Sequence, residues 1–592
     1  MAGKTLDFDR ILTPDQLGCW ISDQYVTWEA FRQVKVQEWK EIQEYIFATD
    51  TTKTTNAKLP WSNKTTIPKL CQIRDNLHSN YMAAMFPQRK WMIWEGDDQN
   101  DETKDKKEAI ESYMSFVVDR NKYYNTISQL VYDYIDYGNT FVMPEWCDQT
   151  NITSNKEQVG YVGPQPRRIS PLDIVFNPVA PDFESSPKII RSMISMGELK
   201  QILEQQTTDG DDKVWASALY DYLKSIRSQV ADHQGNFVVK DRIYNISGFD
   251  SFQSYLKSKM VEVLTFYGDI YDEEKDELLK NRVIKVVDRH KIIFNEPNNS
   301  AYGYAPIFHV GWRLRPDNLW ASGPLDNLVG MQYRIDHLEN MKADVFDLIA
   351  YPPLKIRGFV EDFSWAPMER IYVGDDGDVD LLSPDVNALQ ANTEIAILEQ
   401  KMEEMSGSPR EAMGFRTPGE KTKYEVQSLE NAAGRIFQNK ISHFEQHITE
   451  NLLNAMLELA RRNMTSATIR VFDDEFKIAT FQNLSNMDIT GNGRIRPIAA
   501  RHFAEQSMMI QNLTNFYSSA IGQDQSVQMH FSSVRTAYLI EHLLDLKSWK
   551  IVEPFVRLTE QADQQRLSMA HEEAVQMEAT TPTGFQPGDF DV

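Results

Sequence analysis

Cysteine is scarce in this chain: Cys19, Cys71 and Cys147 are the only three, far apart and odd in number. Three separated thiols build no disulfide framework, so the fold must be held by buried apolar surface in a reducing cytoplasm. Long apolar runs are missing too. No stretch approaches the roughly 18 consecutive apolar residues of a membrane-spanning helix. The opening residues, Met1 to Asp7, lack the apolar segment of a secretory signal, so none is expected. The Asn-x-Ser/Thr triplets at Asn63 and Asn463 then read as chance matches rather than glycosylation sites. Positive charge is also short: Lys and Arg total 62 against 86 Asp and Glu, a net charge of −24. That excludes a protein that coats nucleic acid, which needs a basic face. It is compatible with a wall past which a duplex slides, because each neutralised phosphate adds affinity through counterion release. No Gly-x-x-x-x-Gly-Lys-Ser/Thr loop, Gly-x-Ser-x-Gly elbow or tandem repeat occurs.

What is present is length and aromatic bulk. The 592 residues imply several domains, and 41% hydrophobic with 11% aromatic content is ample for sizeable cores. Apolar spacing predicts helices over 20–48, 66–86 and 106–137, the last ending at Gly138, with the acidic stretch 96–105 between the second and third. Short runs at 140–146 and 161–176, punctuated by Gly163, Pro164, Pro166 and Pro171, predict strands and turns. Residues 188–231 read as helical. The clearest β region is 260–312, as three runs at 261–271, 282–294 and 305–312.

The pattern then changes. Ser322-Gly323-Pro324 carries a cap and an early proline, opening a helix of roughly 40 Å that Tyr351-Pro352-Pro353 ends. A strand-and-turn module follows around Gly374 to Asp378, then a helix over 385–405 and a Gly/Pro-rich loop over 406–422. The longest helix, 424–463, carries Ile441, Phe444, Ile448, Leu452 and Met456 on one face and spans roughly 60 Å. Residues 467–481 read as strand, 497–574 as mostly helical, and 580–592 as a frayed tail.

This order of helix, small β module, helix, Gly/Pro loop and very long helix resembles the central section of phage portal proteins. Local wording points to those of short-tailed, podovirus-type phages. Phe415 to Thr422, followed by Glu425-Val426, is similar to their Arg-Thr-Gly-Glu-x-x-Thr-x-x-Glu stretch, with Pro418 inserted and one residue fewer between Glu420 and Thr422. Asn76-Leu77-His78 through Met85-Phe86-Pro87-Gln88 and Trp91 resembles their N-terminal helix and its Phe-Pro end. Ile489 to Arg494, leading into a helix, resembles their Thr-Gly-rich turn before the crown. The likeness spans about residues 65–550.

The resemblance implies an α+β protomer, predominantly helical, with wing, stem, clip and crown. Its regions would be an N-terminal wing at 1–322, first stem helix at 323–350, clip at 351–383 and second stem helix at 384–405. A tunnel loop at 406–422, the long wing helix and following strands at 423–496, a helical crown at 497–579 and a flexible tail at 580–592 would complete it. It further implies a non-enzymatic ring, typically of twelve copies, at the capsid vertex of a virion, made in a bacterial cytoplasm. Double-stranded DNA would pass through it during packaging and ejection. The partners would be the major capsid protein, the packaging terminase and a tail adaptor, with no cofactor and no membrane. Arg410, Arg416 and Lys421 would face DNA from the tunnel loop, and Asp375, Asp376, Asp378 and Asp380 would dock partners at the clip.

Two other signals compete. His443 and His447 stand four apart on one helical face, a possible metal-ligand spacing, and suggest a metal-dependent hydrolase or nuclease as the alternative. They lack the His-Glu-x-x-His order and an evident third ligand, so helix-surface histidines are the plainer reading. The run Asp375 to Asp380 lacks the distal Glu of a calcium loop and reads as an acidic turn. A tail adaptor or other virion ring component is the second alternative.

Overall fold

The computed structural model describes residues 5–8, 14–47, 63, 65–86, 91–97, 104–153, 156–206, 219–224, 260–272, 276–298, 300–361, 371–375, 377–382, 390–406, 437, 439–464, 466–473, 478–497, 509, 513, 516 and 533–543. The chain divides into two compact units, Met1–Val471 with Phe481–Arg501, and Phe472–Thr480 with His502–Val592. In the second, the longest described element is the helix Ser533–Leu543. The architecture is mixed, with helices and strands in alternating blocks.

Along the first unit, β1 (Thr5–Phe8) precedes the long helix α1 (Pro14–Ile46), then come α2 (Lys69–Met85), β2 (Met92–Gly96), α3 (Lys104–Arg120) and α4 (Tyr123–Asp136). Strands β3 (Asn139–Thr153), β4 (Lys156–Ile169), β5 (Ile174–Phe176) and β6 (Lys188–Ser195) lead to α5 (Met196–Gln206). Next are β7 (Met260–Asp272), β8 (Glu277–Val287), β9 (Lys291–Pro297), β10 (Phe308–Gly311), β11 (Arg313–Arg315) and β12 (Asn318–Ser322). Helix α6 (Val329–Ala350), the hairpin β13 (Leu354–Arg357) with β14 (Asp378–Leu381), and α7 (Asn392–Ser406) follow. A π turn at Glu445–Glu450 runs into α8 (Asn451–Asn463), before β15 (Ser466–Asp473) and β16 (Ile478–Ser485), which the division between the units cuts at Val471 and Phe481, and β17 (Gly493–Pro497).

The main sheet has the order β5-β6-β7-β8-β9, antiparallel throughout, and β1 adds in parallel beyond the end of β6, along Asp269–Asp272 of β7. Its faces follow the two-residue period of a strand. Leu264, Phe266, Ile284 and Val286 bury against Leu17, Ile21, Tyr25 and Trp28 of α1. Val261, Val263 and Val287 bury against Leu199 and Leu203 of α5. At 33 residues, α1 is about 50 Å long. That length lets its later residue Trp39 join a second aromatic cluster with Phe141, Phe176 and Trp320. Its end, Ile42, Tyr45 and Ile46, reaches the largest core, shared by α2, α3, α4, α6, α7 and α8.

Several expected elements differ. The single helix over 106–137 is two, broken where Lys122 takes a left-handed φ of 58° and the buried Asn121 amide donates to the Pro164 carbonyl at 3.0 Å. The apolar spacing hid the break because Tyr113 and Val117 before it, and Tyr123 and Ile127 after it, face one core. Residues 188–195 form a strand rather than a helix. Both its faces are covered, so Lys188 to Arg191 are all buried and the run shows no alternation. The run 282–294 is two strands, turning through Asp288 and Arg289 with φ of 48° and 62°, a tight hairpin without the usual glycine. The acidic separator at 96 hid β2 just before it, and β17 begins within the turn expected at 489–494, ahead of the helical stretch expected from Pro497; the two pair antiparallel from Gly96 opposite Gly493 to Met92 opposite Pro497.

Helix α6 begins at Val329 rather than Gly323. Gly323 is held instead against Gly138, whose φ is +66° and where a Cβ would come within 2.3 Å of the Gly323 nitrogen. That contact fixes the exit of α4 to the approach of α6.

Candidate functional site

The helix–hairpin–helix of α6, β13–β14 and α7 is the feature on which the expected function turns. Its root is in the core: Leu325, Leu328, Ile335 and Leu338 ahead of and along α6, and Ile395 and Met402 of α7, are buried there. Arg334 of α6 donates to Glu394 of α7 at 3.2 Å, and Lys342 donates to Asn392 at 2.9 Å. The buried pair Lys69–Glu403 at 2.7 Å ties α7 to the start of α2. Beyond Pro352 and Pro353 the chain forms a twisted ribbon in which Leu354 to Arg357 pair with Leu381 to Asp378, and Val360 bridges Val373.

The ribbon places the acidic residues in the open. Asp375, Asp378 and Asp380 are exposed. Asp378 lies opposite Arg357, and Asp380 opposite Lys355 with a 3.6 Å ion pair between two half-exposed side chains. Asp376 lies outside the described residues, as do Arg410, Arg416 and Lys421 with the whole stretch 407–422.

Sequence reasoning did not single out the apolar surface on the same unit. Tyr333, Phe346, Tyr351, Phe359 and Tyr372 are 44%, 53%, 75%, 78% and 63% exposed. With roughly 200 Å² in a whole aromatic residue, these five alone leave on the order of 600 Å² uncovered. The largest apolar patch on a typical monomer is roughly 300–600 Å². Ile349, Ile356, Leu381, Leu382, Ile397 and Met405 add to it. The signal was present in the sequence as a two-sided apolar pattern on α6, but helical spacing alone does not say which apolar side meets the protein's own core.

The histidine pair lies on the helical stretch that leads into α8. His443 and His447 bring their rings to 4.5 Å between centroids, tilted by 51°. Burial, then the neighbouring His447 and Lys440, push His443 down to about 4, so it is neutral at ordinary pH. Among the described residues no group of three His, Cys, Asp or Glu side chains is placed to hold a metal. A cleft of about 580 Å³ opens beside His443, walled by Trp312 and Lys440. The Lys440 ammonium donates to the Trp312 carbonyl and lies 5.5 Å from that indole ring, which fixes it to the wall. Glu445, between the two histidines in sequence, is buried with its Oε1 unpartnered. The two rings are therefore brought together without a carboxylate or third ligand to work with among the described residues.

No described helix is long and apolar enough to cross a membrane. Searches of protein-family models and of curated proteins return no match for the sequence.

Proposed function

We propose that the chain is a portal-type subunit: a non-enzymatic ring component at a capsid vertex, serving as conduit for DNA packaging and ejection. The observation that carries this reading is the helix–hairpin–helix unit, rooted in the core at both ends yet leaving Tyr333, Phe346, Tyr351, Phe359 and Tyr372 44% to 78% exposed. Surface of this kind calls for a partner, and heterologous contacts between copies close into rings when the rotation permits. In this reading α6 and α7 are the stem helices, residues 351–383 are the clip, and the copies typically number twelve.

Function then follows from geometry. The clip docks the packaging terminase and later the tail adaptor through Asp375, Asp376, Asp378 and Asp380, where complementary charge sets association rate and specificity. The loop 406–422 turns Arg410, Arg416 and Lys421 towards DNA, and the wing meets the major capsid protein. Weak, salt-sensitive phosphate contacts suit a duplex that must keep moving. The predominantly helical character expected of such a protomer belongs to the same reading.

Light scattering across the micromolar range tests the assembly step. A mass many times the 68.5 kDa of one chain is expected. A strictly monomeric mass at every concentration contradicts the reading.

A further inference from the structure

Helix α6 holds a row of polar side chains at four-residue intervals: Gln332, Asp336, Asn340 and Asp344. The first three are fully or almost fully buried, which is costly for amides and carboxylates unless each is bonded. Their partners are backbone groups of the segment that leads into α2 and of that helix's first turn. The Asn63 N–H donates to Asp344 Oδ1 at 2.6 Å, and the Thr65 N–H to Asn340 Oδ1 at 2.7 Å. The Ile67 N–H donates to Asp336 Oδ1 at 3.0 Å, and the Leu70 N–H to Gln332 Oε1 at 3.2 Å. Donors return the other way: Asn340 Nδ2 to the Thr65 carbonyl at 2.9 Å, and Gln332 Nε2 to the Ile67 carbonyl at 2.5 Å.

The spacing explains why this works. Four residues of helix rise about 6 Å, and two residues of extended chain advance about 6.6 Å, so from Asp344 through Asn340 to Asp336 each fourth side chain meets each second peptide group, and Gln332 spans the Ile67 carbonyl and the Leu70 N–H. Asn340 and Gln332 act as an amide edge does in a sheet, offering a donor and an acceptor together. The bound segment supplies little of its own. Thr65 and Pro68 are exposed, Asn63, Thr66 and Ile67 are half-buried, and the Thr66 hydroxyl has no partner. Among its described residues only Asn63 adds side-chain bonds, to Asp344 at 2.9 Å and Asp347 at 2.8 Å.

We infer that the polar face of α6 is a binding site for extended peptide backbone, and that its occupant is this chain's own Asn63 and Thr65 to Ile67, acting as a strap read by its main chain rather than its side chains. Held by hydrogen bonds and no buried apolar anchor, the strap is a unit that opens more readily than the core beneath it. Closed, it fixes the register of α6, the helix that bears the hairpin, against α2. Neither the strap nor its contacts depends on ring assembly.

Hydrogen exchange of the intact chain, read by mass spectrometry on fragments covering 63–68, tests this. Asn340→Ala or Asp344→Ala is expected to speed exchange at Thr65 and Ile67 on the order of ten-fold or more, as bonds are lost from a locally opening segment. The triple variant Thr65→Ala, Thr66→Ala, Ile67→Ala should leave those rates unchanged. Amides within α2 and α6 report whether a variant keeps its fold. If Asn340→Ala disturbs them, Asp344→Ala, at the less buried end, decides. Unchanged exchange in the Asp344→Ala strap, or a strap released by the side-chain triple variant, overturns the inference.

Discussion

Glu445 offers the sharpest energetic test of the core. It is buried in the π turn with Oε1 unpartnered, and burial alone pushes its carboxyl from 4.5 up to about 8. A raised acid pKa means that the folded chain holds the proton more tightly than the unfolded chain. The stability is therefore complete below about pH 4.5 and is lost as pH rises through about 8. With about 1.4 kcal/mol per unit, the loss is on the order of 5 kcal/mol above pH 8, and about 3 kcal/mol of it has already gone near pH 7. Glu445→Gln keeps the shape and removes the charge, so it should flatten this dependence and be the more stable protein in alkali. Urea unfolding followed by tryptophan fluorescence at about pH 5 and about pH 9 reads the difference. Trp94 and Trp312 share the core cluster with Phe444 and Ile448. The same loss of stability with pH in both proteins would show that Glu445 ionises freely, and would refute its isolation.

Other expectations follow from particular contacts. Gly138→Ala meets both a left-handed φ and the Gly323 backbone, and should cost about 2–5 kcal/mol in denaturant unfolding. Gly303→Ala, at a similar φ of +69° but with open space around it, is the control and should cost far less. Charge reversal at Asp375, Asp376, Asp378 and Asp380 should leave stability within about 1 kcal/mol, since exposed ion pairs contribute little, while impairing terminase or tail attachment in a packaging assay. Normal attachment would remove the docking role. Alanine at Arg410, Arg416 and Lys421 together should leave assembly intact but lower DNA retention, with a defect that depends on salt. Full packaging by that variant would show these cations to be ordinary loop charges.

The sequence was most legible where one side of an element is buried and the other wet. Ile441, Phe444, Ile448, Leu452 and Met456 recur at helical spacing and are all buried, and the stretch expected as strand at 467–481 is strand, divided in two as 466–473 and 478–485. Legibility failed where both sides are covered. Strand β6 shows no alternation, and the break after Arg120 leaves the apolar phase intact. It failed again where long-range pairing makes an element, as in β2 and β17, which are some 400 residues apart in the chain and short enough to pass for loop. In the candidate site the Pro-bounded hairpin and its exposed carboxylates were readable from turn residues. The α6 row of Gln332, Asp336, Asn340 and Asp344 was not, because its meaning lies in a distant extended segment with no pattern of its own.

The ring itself is the central claim, and negative-stain images of the purified full-length protein address it most directly. Top views should show closed rings of one size, with a single central hole, persisting at the dilution used for grids. A field of single compact particles, or open chains of varied length without a hole, would contradict the portal-type reading.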